Sequence, residues 1–212
     1  MKEFSVVMSL CDYIPVALFA AAAVILQRDL YNKMSKGAFA LFAAGTIDIF
    51  CAGILKATYK LLYATGVCDF EALSVLFFPL QAIGFLLAGI AVAAMIFCKQ
   101  FKPLSASAAV TAPGLYSGTP IFIVLMVTGL AAMNSGLCVI AAKMKRPSAI
   151  VFFIISLLCS LAMGYLSSKD FANGYMNWIA EGINTAGQLS FLLGAVILHR
   201  SGLSRYNDNT SA

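Results

Sequence analysis

Six stretches of the chain, 6–26, 37–62, 72–97, 119–142, 148–166 and 177–198, are apolar runs close to 20 residues or longer. That succession removes most folds from consideration. A helix rises 1.5 Å per residue, so roughly 20 residues cross a hydrocarbon core about 30 Å thick. Backbone polar groups find no water there, so only helices and closed barrels span it. A barrel requires short alternating strands, and the sequence has none. The expected fold is therefore all-α: a polytopic membrane helix bundle, with 1–212 forming a single integral membrane domain.

Only 11% of the residues are charged, against about 25% in soluble domains. A separate soluble domain has no room, and the lipid bilayer is the expected partner. The net charge of +5 is read as cytoplasmic loop lysines and arginines, with no nucleic-acid partner. The run Ala20 to Ala23 gives the first stretch some look of a signal peptide. Asp12, Pro15 and a weakly basic flank argue for a retained helix.

The segment between Pro103 and Pro120 is uncharged and rich in Ala, Ser and Gly. Charge decides its treatment, because cytoplasmic loops carry the excess Lys and Arg. If 103–118 crosses and the N-terminus is outside, ten cations lie inside: Arg28, Lys33, Lys36, Lys99, Lys102, Lys143, Lys145, Arg146, Arg200 and Arg205. Four lie on the outer half, namely Lys2, Lys56, Lys60 and Lys169. Six spans give at best 8 to 6. The expectation is seven transmembrane helices, the fourth (103–118) short and weak around Pro113-Gly114, with six as the alternative. The N-terminus is then outside and the C-terminus cytoplasmic, in the plasma membrane.

Seven spans with a weak fourth suggest three helices, a connector and three more. Phe85-Leu86-Leu87-Ala88-Gly89 resembles Phe191-Leu192-Leu193-Gly194-Ala195, and Gln81 and Gln188 precede them. An odd connector makes both halves run the same way, a 3+1+3 parallel repeat. In span count and plan this is similar to the sugar-transporting SWEET and PQ-loop proteins. The Pro-Gln dipeptide of the latter is absent, because Leu80 separates Pro79 from Gln81. Small residues four apart, Gly84 with Ala88, Ala132 with Gly136 and Gly182 with Ala186, are spaced for close helix packing.

Chemistry concentrates in 177–198. At 100° per residue Asn177, Glu181, Asn184, Thr185 and Gln188 share an arc of roughly 100°, and Phe191 and Ala195 prolong its line in apolar form. An ionisable side chain at membrane depth is costly unless it faces protein or water, so this stripe marks a polar site. Other spans add company. Asp12 lies one turn before Pro15, and Asp48 has charge-free apolar sequence on both sides. Lys56 stands about 12 Å further along the same helix, and Gln81 sits beside Pro79. The expected ligand-binding set is Glu181, Asn184, Gln188, Asn177, Asp48 and Gln81. The expected coupling or ion-pair set is Asp12, Asp48, Lys56 and Glu181, with Glu181 or Asp12 the natural partner of Lys56 on depth.

Blander readings compete. Lys56 is equally readable as snorkelling to the interface, and Asp12 as lying at headgroup level. The stripe is readable as a structural hydrogen-bond network. In the inner half Asn134 is the main polar candidate, and Tyr116, Tyr175 and Trp178 read as interfacial anchors.

The six cysteines are scattered singly, without a C-x-x-C pair or neighbouring histidine, and read as packing residues. One histidine, His199, does not make a zinc site, so neither metal nor cofactor is expected. The G-x-S-x-G and H-E-x-x-H motifs and Gly-rich phosphate loops are missing, and no catalytic residue is assigned. The expected function is a small secondary transporter of a polar or charged small solute, with its carboxylate site in the outer half of the bundle. The alternatives are a small-ligand binding subunit or receptor of a larger membrane complex, and an intramembrane lipid-modifying enzyme. A homo-oligomer or a partner subunit fits each reading.

Overall fold

The computed structural model describes residues 5–97, 119–167 and 174–205. The first helix, α1 (Val6–Cys11), begins at Ser5, whose hydroxyl accepts the Met8 N–H at 3.1 Å. It is interrupted at Asp12 and resumes as α2 (Tyr13–Leu30). Pro15 explains the flaw, because it offers no N–H to the carbonyl four residues back. Asp12 itself keeps helical angles (φ −58°, ψ −20°), so α1 and α2 form one membrane-length element. Ser35 caps α3 (Lys36–Ala64) by accepting the Ala38 N–H at 3.2 Å. Then come α4 (Glu71–Phe97), which continues through Pro79, α5 (Thr119–Lys143), α6 (Pro147–Ser167) and α7 (Gly174–Arg200). A short 3₁₀ turn, Leu203–Arg205, follows α7. Among the described residues six elements are long and apolar enough to cross a bilayer, which marks the chain as an integral membrane protein. The expected crossing at 103–118 and the anchor Tyr116 lie outside the described residues.

Each helix packs on the next, and α7 returns to α2, so the six elements close into a ring. Residue pairing gives the directions. Tyr13 meets Thr58 and Gln27 meets Thr46, so α2 and α3 are antiparallel. Gly45 meets Ala88 and Ile49 meets Gly84, so α3 and α4 are antiparallel as well. In contrast, Leu86 lies against Gly129 and Val92 against Gly136: α4 and α5 run parallel. Met126 with Gly164 and Cys138 with Ile150 make α5 and α6 antiparallel. Cys159 with Gly187 and Phe153 with Gly194 do the same for α6 and α7. Finally Phe19 stacks on Phe191 and Asp29 bonds His199, so α7 runs parallel to α2. Phe97 and Thr119 therefore lie at opposite ends of the bundle.

Glycine makes two of these seams possible. A β-carbon on Gly45 would lie 2.5 Å from the Gly84 carbonyl oxygen, and one on Gly89 would lie 2.5 Å from that of Gly129. Backbones this close gain dispersion contact that lipid cannot supply. Gly84, Ala88, Ala132 and Gly136 sit in these seams, as their spacing suggests. Gly182 and Ala186 do not: both are exposed, and nothing lies within 4 Å of a β-carbon placed on Gly182.

The two ends of the ring differ. At the end where α2 and α7 finish, Leu26, Leu30, Phe42, Val92, Leu137, Phe153 and Leu198 are all fully buried. Around this packed end stand Arg28, Lys33, Lys36, Lys143, Lys145, Arg146, Arg200 and Arg205. Among the described residues the opposite end has only Lys56 and Lys60 as cations.

Candidate functional site

The opposite end holds a cavity of about 420 Å³ in the middle of the ring, lined by side chains from all six membrane-length elements. Helix α7 supplies one wall with Asn177, Glu181, Asn184 and Gln188. Successive members are three or four residues apart, which keeps them on one face. The same line continues as Phe191 and Ala195, 3% and 0% exposed, which enter the core. One helix face thus forms both the wet wall and part of the seal beneath it. Phe191 is the pivot: its ring centroid is 5.9 Å from that of Phe19 and 5.8 Å from that of Phe153. Of these three rings only Phe19 lines the cavity; Phe191 and Phe153 lie beyond it in the packed part of the ring.

Near the mouth four charged groups converge. Lys60 Nζ stands 2.6 Å from Asp12 Oδ2, close enough for an ion pair though off the angle that a hydrogen bond needs. Asp12 is 6% exposed and Glu181 8%. Glu181, Asp12, Lys56 and Lys60 all lie within electrostatic reach of one another. Lys56 Nζ sits 4.3 Å from the centroid of the Phe77 ring, a cation–π contact. Among the described residues no carboxylate reaches it at ion-pair distance. Glu181 Oε1 is buried and, among the described residues, finds no donor; the nearby carboxyl of Asp12 is itself an acceptor. An oxygen in that state is expensive to bury unless a donor reaches it.

Of the residues singled out in the sequence, Asp12, Lys56, Gln81, Asn177, Glu181, Asn184 and Gln188 line the cavity. Asp48 does not. Its helical neighbours at three and four residues, Gly45 and Ala52, are buried, and Gly45 packs on α4; Asp48 is half-buried at the edge of that seam. Among the described residues it has neither hydrogen bond nor ion pair, so the pairing expected for it is not formed there. Thr185 also stays out of the cavity. Asn134 is 1% exposed, and its amide donates to the Leu130 carbonyl at 3.0 Å. Tyr175 and Trp178 are exposed near the start of α7.

Among the polar pairings that escaped the sequence reading, two join a carboxylate to a basic side chain. Lys60 went unnoticed as a partner for Asp12, although its place four residues after Lys56 puts both on one helix face. At the packed end His199 Nδ1 donates to both oxygens of Asp29 at 3.0 Å, and Asp29 is 2% exposed. Among the described residues no group of three or more His, Cys, Asp and Glu side chains converges as a metal site. No protein family, curated protein or solved structure matches the chain.

Proposed function

We propose that the chain is a small secondary transporter of a polar or charged small solute, with the ring cavity as its binding site. One observation carries this reading. The cavity is lined by all six membrane-length elements and reaches as far along them as Phe19, Phe85 and Gln188, beyond which the bundle is packed apolar. A site inside the bundle near the midplane, with one end packed shut, is what alternating access requires of one of its states. Glu181 is the coupling carboxylate in this reading. Its burial in the cavity wall favours it over Asp48, which stands outside.

The same proposal includes seven spans, a 3+1+3 parallel repeat and an outside N-terminus. The parallel course of α4 and α5 supports a crossing at 103–118, since three antiparallel helices followed by three more need an odd connector. The ring supports the repeat: rotating α2, α3 and α4 onto α5, α6 and α7 preserves every neighbour and every direction. The concentration of Lys and Arg at the packed end supports a cytoplasmic face there.

The test is uptake into vesicles containing the chain, with and without a proton gradient. Wild type takes up solute in a gradient-dependent way, Glu181→Gln loses that dependence, and Asp48→Asn keeps it. Equal uptake by all three removes the coupling role. Reporter fusions to the two termini check the topology, with seven spans putting them on opposite sides.

A further inference from the structure

The four charges at the cavity mouth are not equally satisfied, and the inequality describes a ligand. Lys60 is committed to Asp12 at 2.6 Å. Glu181 Oε1 and Asp12 Oδ1 are buried and find no donor among the described residues, on two carboxyls that lie close together. Neighbouring acceptors with no donor between them suit an ammonium, which brings three donors and a positive charge. Lys56 has the complementary need. Its ammonium rests on the face of Phe77, and no carboxylate among the described residues reaches it. The formal charges of Asp12, Glu181, Lys56 and Lys60 cancel. A ligand of net charge would satisfy one pole and leave the other unmatched between walls that include Phe19 and Phe85.

We infer that the cavity takes a small zwitterion bearing an ammonium and a carboxylate, as an amino acid does. Its ammonium sits between Glu181 and Asp12 and its carboxylate on Lys56. The rest of the molecule extends toward Gln81, Asn184 and Gln188, whose amides offer donors and acceptors to a polar group. Phe19 and Phe85, which line its deep part, set the length that fits. The inference rests on the proposed site, but its binding arm does not depend on transport.

The experiment has two arms. In the first, the purified full chain in detergent is titrated with the twenty common amino acids, followed by thermal unfolding and calorimetry. The best binder is then compared with its carboxamide, which lacks the carboxylate, and with its N-acetyl form, which lacks the ammonium. Each loss of charge weakens binding by about tenfold or more, the cost of a charge-assisted hydrogen bond. Lys56→Met binds the parent weakly and no longer distinguishes it from the carboxamide, whereas Lys56→Arg still does. Glu181→Gln likewise ceases to distinguish the parent from the N-acetyl form. Folding of each variant is verified by a monodisperse profile. Absence of binding by all twenty, or equal binding of parent and both derivatives, overturns the inference. The second arm measures uptake of the best binder into proteoliposomes. Binding without uptake supports the zwitterion site and overturns the transport reading. Uptake of an uncharged sugar or a simple amine in preference to amino acids overturns the zwitterion and leaves transport standing.

Discussion

The same six helices build both ends of the ring, yet one end is a charged cavity and the other an apolar seal. The α7 stripe carries the change along a single face, from Asn177 and Glu181 through Gln188 to Phe191 and Ala195. A comparable change occurs on α3, where Lys56 and Lys60 face the cavity and Ala38 and Phe42 enter the packed end. The contrast teaches that the bundle does not gain its coherence from burying apolar surface, which lipid accommodates equally well. It gains it from close backbone contact at glycine seams and from polar pairs that have no better partner.

The contrast can be broken from either side. The largest loss is expected at the cavity mouth. Lys60→Met strips Asp12 of its ion-pair partner and costs about 3 kcal/mol in an SDS-unfolding titration, since the remaining charge is buried. Adding Asp12→Asn to that variant recovers most of it; no recovery would mean that Lys60 stabilises by another route. Next comes the glycine seam. Gly129→Leu forces side-chain atoms into the backbone of Leu86 and costs about 1–3 kcal/mol by the same titration. Gly182→Leu, with open space around it, is expected to stay within about 0.5 kcal/mol. Equal effects at the two glycines would show that the seam is not where the close approach matters. The third loss, smaller than those at Lys60 and Gly129, is that of His199→Ala, which removes the donor to Asp29 at a site where water can still approach from the exposed histidine side. It is expected to cost about 1 kcal/mol.

Much of this architecture was legible in the chain itself. The apolar runs place the six helices within a few residues of their observed ends, because roughly 20 apolar residues admit no other arrangement in a bilayer. The 177–198 stripe was visible because helical periodicity fixes which side chains share a face, whatever that face meets. Asp48 shows where such reasoning stops. Depth and local hydrophobicity say that an acid is costly there, but only the packing of Gly45 on Gly84 says which way α3 is turned. Lys60 failed for the opposite reason. Near a helix end it reads as a solvated charge, and its partner Asp12 is 48 positions away in sequence. Gly182 and Ala186 have the right spacing for a seam and face none, since spacing defines a stripe without naming a neighbour.

The ring closes only when α7 comes to lie along α2, and this orders events during synthesis. Asp29, at the end of the first membrane element, meets His199 across a gap of 170 residues. Until the ribosome has made residue 199, that carboxylate has no His199 to meet and α7 is not there to line the cavity. The first helix therefore waits in an unfinished arc, with Asp12 able to pair with Lys60 of α3 while Asp29 still lacks its partner. A chain truncated before α7 would leave Asp29 in that state, an address that membrane quality control can read.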